Sequence, residues 1–208
     1  MKPATILLAR HGQTVWNRDG NRYCGSTEVD LSPLGFWQAQ QLGEALRDVP
    51  LAAVYASDLT RAQLTATPAA ISHGLTVQVE PGVRETDFGE FEGYTPGDLA
   101  ISQSAEFQAW RRDPEGTPPP GGETVTDAAR RAVVALTAIA ARHSGETVLV
   151  VAHNTLNRIV ICYALGAPVG NYRRIEQANA CINSFAWSDD EIILLSANET
   201  AHLRGPEQ

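Results

Sequence analysis

Hydrophobic residues along this chain fall into short continuous runs and into stripes of helical period. Residues 5–9, 51–56 and 147–152 are uncharged and mostly apolar, the pattern of strands buried on both faces. Residues 75–80 alternate like a half-buried strand. Ser32-Pro33 joins a capping hydroxyl to a proline suited to the first helical position, which predicts a helix to about residue 48. A second helix is predicted over 58–70, capped by Ser57 or Asp58. Apolar positions at helical spacing predict a long helix over 123–143, and another over 155–165. Residues 98–112 hold one or two short helices. Two runs, 181–187 and 191–197, straddle Ser188-Asp189-Asp190 as an antiparallel hairpin. The turn-rich stretches 81–97 and 113–123 are read as loops.

Strand runs alternating with helices predict an α/β fold with a largely parallel central sheet. In such sheets ligands sit outside the carboxyl ends of the strands. Three runs end in reactive groups there. Residues 5–9 lead into Arg10 and His11, 51–56 into Ser57, Asp58 and soon Arg61, and 147–152 into His153. The polar residues stand where the strands stop.

A length of 208 residues predicts one domain over 1–208, and 43 % hydrophobic with 19 % charged residues is ordinary globular composition. The net charge of −8 argues against nucleic acid as a partner. It does not forbid a small anion, because arginines gathered in one cleft reverse the sign locally. No apolar run nears the roughly 18 residues that span a bilayer, so no membrane partner is expected. The opening residues lack a secretory leader pattern. Three scattered cysteines, Cys24, Cys162 and Cys181, form neither a disulfide framework nor a zinc pattern, so a reducing cytoplasm is the expected setting. Cys162, on an apolar helix, belongs to the core.

The residues at the strand ends suit a phosphoryl group. Arg61 falls in the first turn of its helix, where partial positive charge and free N–H groups bind anions. An arginine fork matches phosphate oxygens. One imidazole can attack phosphorus while the other charges stabilise the equatorial oxygens. A leaving alkoxide needs a proton, which a carboxyl supplies. The candidates are Glu85, Asp87, Glu90 and Glu92, of which one is wanted and the rest are loop charges or backbone caps. His73, His143 and His202 fit no motif and are read as structural. No histidine pair has the HxxxH or HExxH spacing of a helical metal site, so no metal or other cofactor is expected.

Four stretches in order, "ARHGQTVWN", "VYASDLTRAQLTA", "RETDFGEFEG" and "VVAHN", resemble the histidine phosphatase superfamily, also called phosphoglycerate-mutase-like. The resemblance spans nearly the whole chain. It implies a mostly parallel sheet flanked by helices on both faces, with a small helical and loop cover from about 94–122. It also implies metal-independent chemistry through a phosphohistidine. His11 matches the nucleophile, Arg10, Arg61 and His153 the phosphate pocket, and Glu85 the proton donor and acceptor. Asn17 matches a polar residue lining the pocket, and Tyr23, Cys24 and Gly25 are expected at its mouth. Many members have glycine after the second histidine, whereas this chain has Asn154. Asparagine tolerates the left-handed backbone region, which would leave the backbone unchanged and bring its side chain to the site. Trp110-Arg111-Arg112 either reaches over the pocket or forms a solvated helix end.

The resemblance implies a phosphatase acting on a small phosphorylated metabolite. A phosphoglycerate mutase is the alternative, but the family's mutases carry a longer insertion than 94–122 after the glutamate motif. A catalytically inactive phospho-ligand binding module is the remaining alternative, against which every motif residue is present. A homodimer across a sheet edge is compatible with this reading.

Overall fold

The computed structural model describes residues 2–102 and 104–204. The expected domain of 1–208 and the expected cover therefore touch residues 1, 103 and 205–208, which lie outside the described residues. The elements in chain order are β1 (Ala4–Arg10), α1 (Val15–Arg18), α2 (Pro33–Ala45), β2 (Leu51–Ala56), α3 (Thr60–Ser72) and β3 (Val77–Val79). They continue with α4 (Pro96–Ser102), α5 (Ala105–Arg112), α6 (Val125–Arg142), β4 (Thr147–Ala152), α7 (Asn154–Ala164), β5 (Ile182–Trp187) and β6 (Ile192–Glu199). One six-stranded sheet has the order β3-β2-β4-β1-β5-β6. The first four strands of that order run parallel, and the β5–β6 hairpin completes the sheet antiparallel.

The central strands read as unbroken apolar runs because both of their faces are covered. Ile6, Leu8, Val148 and Val150 pack with Leu136 and Ile139 of α6 and Leu156 and Ile159 of α7. The alternate residues Leu7, Ala9, Leu149 and Val151 pack with Leu42 of α2 and with Ala62, Ala66 and Ala69 of α3. Successive strand side chains point to opposite faces, so one run serves both layers. Each large aliphatic side chain buried in this way contributes about 1.5–3 kcal/mol. A third cluster, Phe88, Phe91, Leu99, Phe107 and Trp110 with Tyr23 against it, lies under the 94–122 cover. Trp110 faces into it, 5.6 Å from the Tyr23 ring centroid, while Arg111 and Arg112 are exposed at the end of α5.

Several local expectations are corrected by tertiary contacts. Ser32 caps α2 as expected, its hydroxyl accepting from the Gly35 N–H, but the helix stops at Ala45. The cap of α3 is Leu59, with no side-chain capping bond, rather than Ser57 or Asp58. Asp58 is instead drawn to the Arg84 guanidinium at 2.6 Å. The Thr60 N–H donates to the Glu28 carboxylate at 3.2 Å, so a distant glutamate does the capping. The short helix α1 carries no periodic signal, and its stability is local. Thr14 and Asn17 close it as a reciprocal capping box.

Candidate active site

Parallel pairing of β1 with β4 sets Arg10 opposite Ala152, and the His11 N–H donates to the Ala152 carbonyl at 3.0 Å. The residue that follows β4 is His153. The two imidazoles consequently lie side by side, ring centroids 5.2 Å apart. On the other side of β4, the Ser57 N–H donates to the Val151 carbonyl at 3.0 Å, and α3 begins there with Arg61 in its first turn. The chain leaves β1 toward α2 on one face and leaves β4 into α7 on the other. A crevice opens between them at the strand ends.

His11 is buried, with Nδ1 2.7 Å from the Gly12 carbonyl oxygen. A carbonyl only accepts, so Nδ1 carries the proton and Nε2 keeps its lone pair. Burial, then the charges of Arg61 and Arg10, hold its pKa well below 6.5. Glycine follows His11 for a steric reason. A Cβ on Gly12 would stand 2.5 Å from the Gly35 carbonyl oxygen, so only glycine lets this loop close on α2.

His153 is the N-cap residue of α7, and neither ring nitrogen has a hydrogen-bond partner. It is 0 % exposed, and burial, then Arg61, hold its pKa well below 6.5. Arg10 donates through Nη1 to the Gln177 carbonyl at 2.6 Å. Gln177 is itself clamped by Asn183, the two side-chain amides donating to each other at 2.7 and 2.8 Å. Burial brings the Arg10 pKa down to about 10, which leaves it a cation at neutral pH.

Glu85 accepts three backbone N–H bonds, from Thr86 at 2.9 Å, Leu156 at 3.0 Å and Thr155 at 3.1 Å. Two of these donors belong to the N terminus of α7, whose dipole favours an anion. Its loop is fastened by Arg131 of α6, which donates to the carbonyls of Gly82 at 3.0 Å, Arg84 at 2.6 Å and Glu85 at 2.9 Å. Arg131 lies in no motif, and only the folded chain reveals it as a positioning residue.

A cavity of about 170 Å³ opens above these groups. Arg10, His11, Asn17, Tyr23, Cys24, Glu85 and Asn154 line it, as expected of residues chosen for the site. Arg22, Arg158, Tyr172 and Arg173 also line it and carried no motif signal, and Phe88, inside the glutamate motif, was not singled out. Four arginines against a single carboxylate make the cavity positive within a chain of net charge −8.

Arg61, His153 and Gly25 are not in the wall. Arg61 lies behind it, its two terminal nitrogens donating to the carbonyls of Gly25 and Thr27 at 2.8 Å each. Its charge still reaches both imidazoles. Gly25 holds the loop instead of lining the mouth. Its φ is +43°, and a Cβ there would stand 1.9 Å from the Glu92 carboxylate. Glu92 in turn accepts from the N–H groups of Ser26, Thr27 and Phe88, the backbone-cap role expected of the surplus acidic residues.

Asn17 lines the cavity with its oxygen already engaged, accepting from the Thr14 N–H and from Asn179 Nδ2 at 3.1 Å each. Asn154 corrects an expectation. It is the first residue of α7, and it is not among the described non-glycine residues of positive φ, which are Asn21, Ala180 and Asn198. Left-handed tolerance therefore plays no part in its choice. Its side chain faces the cavity with a buried Oδ1 that has no partner.

A family model described as "Histidine phosphatase superfamily (branch 1)" matches residues 6–200. The chain belongs to that superfamily. Phosphoserine phosphatase 1 of Hydrogenobacter thermophilus is 30 % identical over 198 residues, covering 95 % of this chain and 93 % of the relative. A Yersinia pestis protein named probable phosphoglycerate mutase GpmB is 30 % identical over 210 residues, covering 97 % of this chain and 95 % of the relative. The crystal structure of an Entamoeba histolytica phosphoserine phosphatase with 3-phosphoglyceric acid superposes with a TM-score of 0.86 at 25 % identity. It covers 97 % of this chain and 100 % of that one.

In this histidine phosphatase the other histidines are elsewhere. His73 bonds the Val49 carbonyl, His143 the Tyr55 hydroxyl and His202 the Ala180 carbonyl. No helix among the described residues is long and apolar enough to cross a membrane.

The two depressed imidazoles set a pH dependence of stability. Below the unfolded value of 6.5 the unfolded chain binds protons that folded His11 and His153 refuse. This contribution is absent above that pH and destabilises the fold as the pH drops beneath it. From pH 6.5 to about 5.5 the pair is expected to remove about 2 kcal/mol. Urea unfolding at the two pH values checks this. His153→Asn is expected to lose about half of the drop, and an equal drop in both proteins would count against a neutral His153.

Proposed function

We propose that this histidine phosphatase hydrolyses a small phosphate monoester through a phosphohistidine on His11. One observation carries the assignment of the nucleophile. The Nδ1–H bond to Gly12 leaves Nε2 as a free lone pair in a cavity walled by arginines. The phosphoryl group sits against Arg10 and His11, with His153 and Arg61 behind the cavity wall and Arg61 adding charge from there. Nε2 attacks phosphorus as the bond to the leaving oxygen breaks, and Glu85 gives that oxygen its proton. The departing product is the free alcohol. Glu85, now ionised, takes a proton from water as that water attacks phosphorus. The N–P bond breaks, phosphate leaves, and His11 and Glu85 return to their starting states.

Arginines supply the charge stabilisation that Mg²⁺ supplies in other phosphoryl-transfer sites. Turnover of p-nitrophenyl phosphate is therefore expected to survive EDTA, and reaction in ¹⁸O-water is expected to place one label in each phosphate released. Loss on chelation with recovery on Mg²⁺ or Zn²⁺ would overturn the metal-free route. Interconversion of phosphoglycerate isomers without labelled phosphate would establish a mutase instead.

A further inference from the structure

The side chain of Arg10 is held through Nη1, which donates to the Gln177 carbonyl at 2.6 Å, while its Nε is buried without a partner. A long, rotatable side chain is thus aimed through a main-chain oxygen of another segment. The Gln177 side chain keeps that oxygen in place. Its Nε2 donates to Asn183 Oδ1 at 2.7 Å and to the Glu176 carbonyl at 3.1 Å. Its Oε1 accepts from Asn183 Nδ2 at 2.8 Å and from Cys181 Sγ at 3.3 Å. Asn183 Nδ2 also donates to the Leu8 carbonyl of β1, and its Oδ1 also accepts from the Asn198 N–H, each at 2.9 Å. A side-chain amide has two N–H donors and two acceptor lone pairs, and in both residues every one is used. Leu8 and Arg10 share β1, so Asn183 ties the Gln177 segment to the strand that carries the arginine.

The surroundings of this pair are strained. Ala180 and Asn198 are non-glycine residues in the left-handed region, at φ +57° and +53°. The turn at Ala180 brings its own N–H to the His11 carbonyl at 3.2 Å and Asn179 Nδ2 to the same oxygen at 3.3 Å. Asn198 belongs to a bulge in β6. Ile182 pairs with Glu199 and Ser184 with Ser196, so Ala197 and Asn198 both stand opposite Asn183. The bulge gives the Asn198 N–H to the Asn183 side chain, and Asn198 Oδ1 accepts from the Ala178 N–H at 2.8 Å. Left-handed residues cost free energy, and a buried amide pair gives little over apolar groups of the same shape. Stability alone does not call for this network between β1 and β6, whereas a fixed position for Arg10 does. We propose that the Gln177–Asn183 amide pair, locked by the bulge at Asn198, is the positioning device that aims Arg10 at the phosphoryl group. It rests on the phosphatase reading and adds to it residues that do not line the cavity.

The test replaces both amides together. Gln177→Leu with Asn183→Leu exchanges paired polar groups for apolar ones of similar size, which stability tolerates, but it unties the Gln177 main chain. This protein is expected to lose about tenfold or more in kcat/KM on p-nitrophenyl phosphate and to bind inorganic phosphate more weakly by a similar factor. Asn198→Val, at a half-buried position on an edge strand, disfavours the left-handed bulge and is expected to act in the same direction. Asn198→Gly keeps the bulge and is expected to lose less. A double-mutant cycle separates positioning from bulk stability. In an Arg10→Gln background the leucine pair is expected to cost little further, because the group it aims is gone. An equal loss with and without Arg10 would overturn the device. So would unchanged phosphate affinity in the leucine pair and in Asn198→Val, and if the leucine pair does not fold, the Asn198 variants decide alone. Phosphate affinity is measured by calorimetry and needs no turnover. Failure of the wild type to hydrolyse p-nitrophenyl phosphate would therefore strike the phosphatase reading, while the phosphate affinities still decide the positioning.

Discussion

His11→Ala is expected to lower turnover by on the order of 10⁴–10⁶ and to form no covalent adduct. The size of the effect follows from the step removed. Without Nε2 nothing in the cavity attacks phosphorus, and water would have to do so unaided beside charges arranged for an imidazole. A phosphoryl–nitrogen bond survives alkali and breaks in acid. Wild-type enzyme mixed rapidly with ³²P-labelled substrate and quenched in base is therefore expected to retain label on His11, while acid quenching releases it. His153→Ala makes the informative comparison. Its imidazole also ends a strand and is also held neutral, but it has no carbonyl to fix its tautomer. That variant is expected to turn over slowly and still trap label on His11. Label retained by His11→Ala would move the nucleophile elsewhere.

Glu85→Gln is expected to slow alkyl phosphates by about 10²–10⁴ and p-nitrophenyl phosphate by no more than about tenfold. An alkoxide leaves poorly without a proton, whereas p-nitrophenolate hardly needs one. The substitution also replaces one carboxylate oxygen with an amide N–H₂, which then opposes the N–H donor of either Thr155 or Leu156, where the carboxylate accepted from both. A loss of about 1 kcal/mol in stability is expected from that mismatch at the α7 N terminus. Thermal melting separates this loss from the catalytic one, because a purely structural effect would slow both substrates alike. Equal losses on the two would remove Glu85 from the acid role.

Much of this molecule was legible in local pattern. The central strands β1, β2 and β4 were visible because both of their faces are buried, which forces a continuous apolar run on the sequence. Where burial ends the run ends, so Arg10, His11 and His153 announced themselves as strand-end residues. The motif around Glu85 marked the one acid of the four that lines the cavity, and the loop geometry explains Asp87 and Glu92 as caps. Pattern was less reliable at helix ends. Ser57 and Asp58 had the chemistry of a cap, but Arg84 and Glu28, brought in from other segments, redirected it. Asn154 was chosen rightly as a cavity residue for a backbone reason that the helix does not bear out.

By itself, then, the sequence determined the α/β layering and the residues at the carboxyl ends of β1 and β4, because periodicity and burial act on neighbours in the chain. Only the tertiary structure decided which charges face the cavity and which stand behind it. Arg61 looked like a wall residue and is fastened beneath it by two carbonyls. Arg10 is aimed by Gln177, 167 residues away. Arg158 and Arg173 reach the cavity from α7 and from the chain that follows it. Such contacts join groups that share no local period, and they exist only once the sheet has set the distances between them.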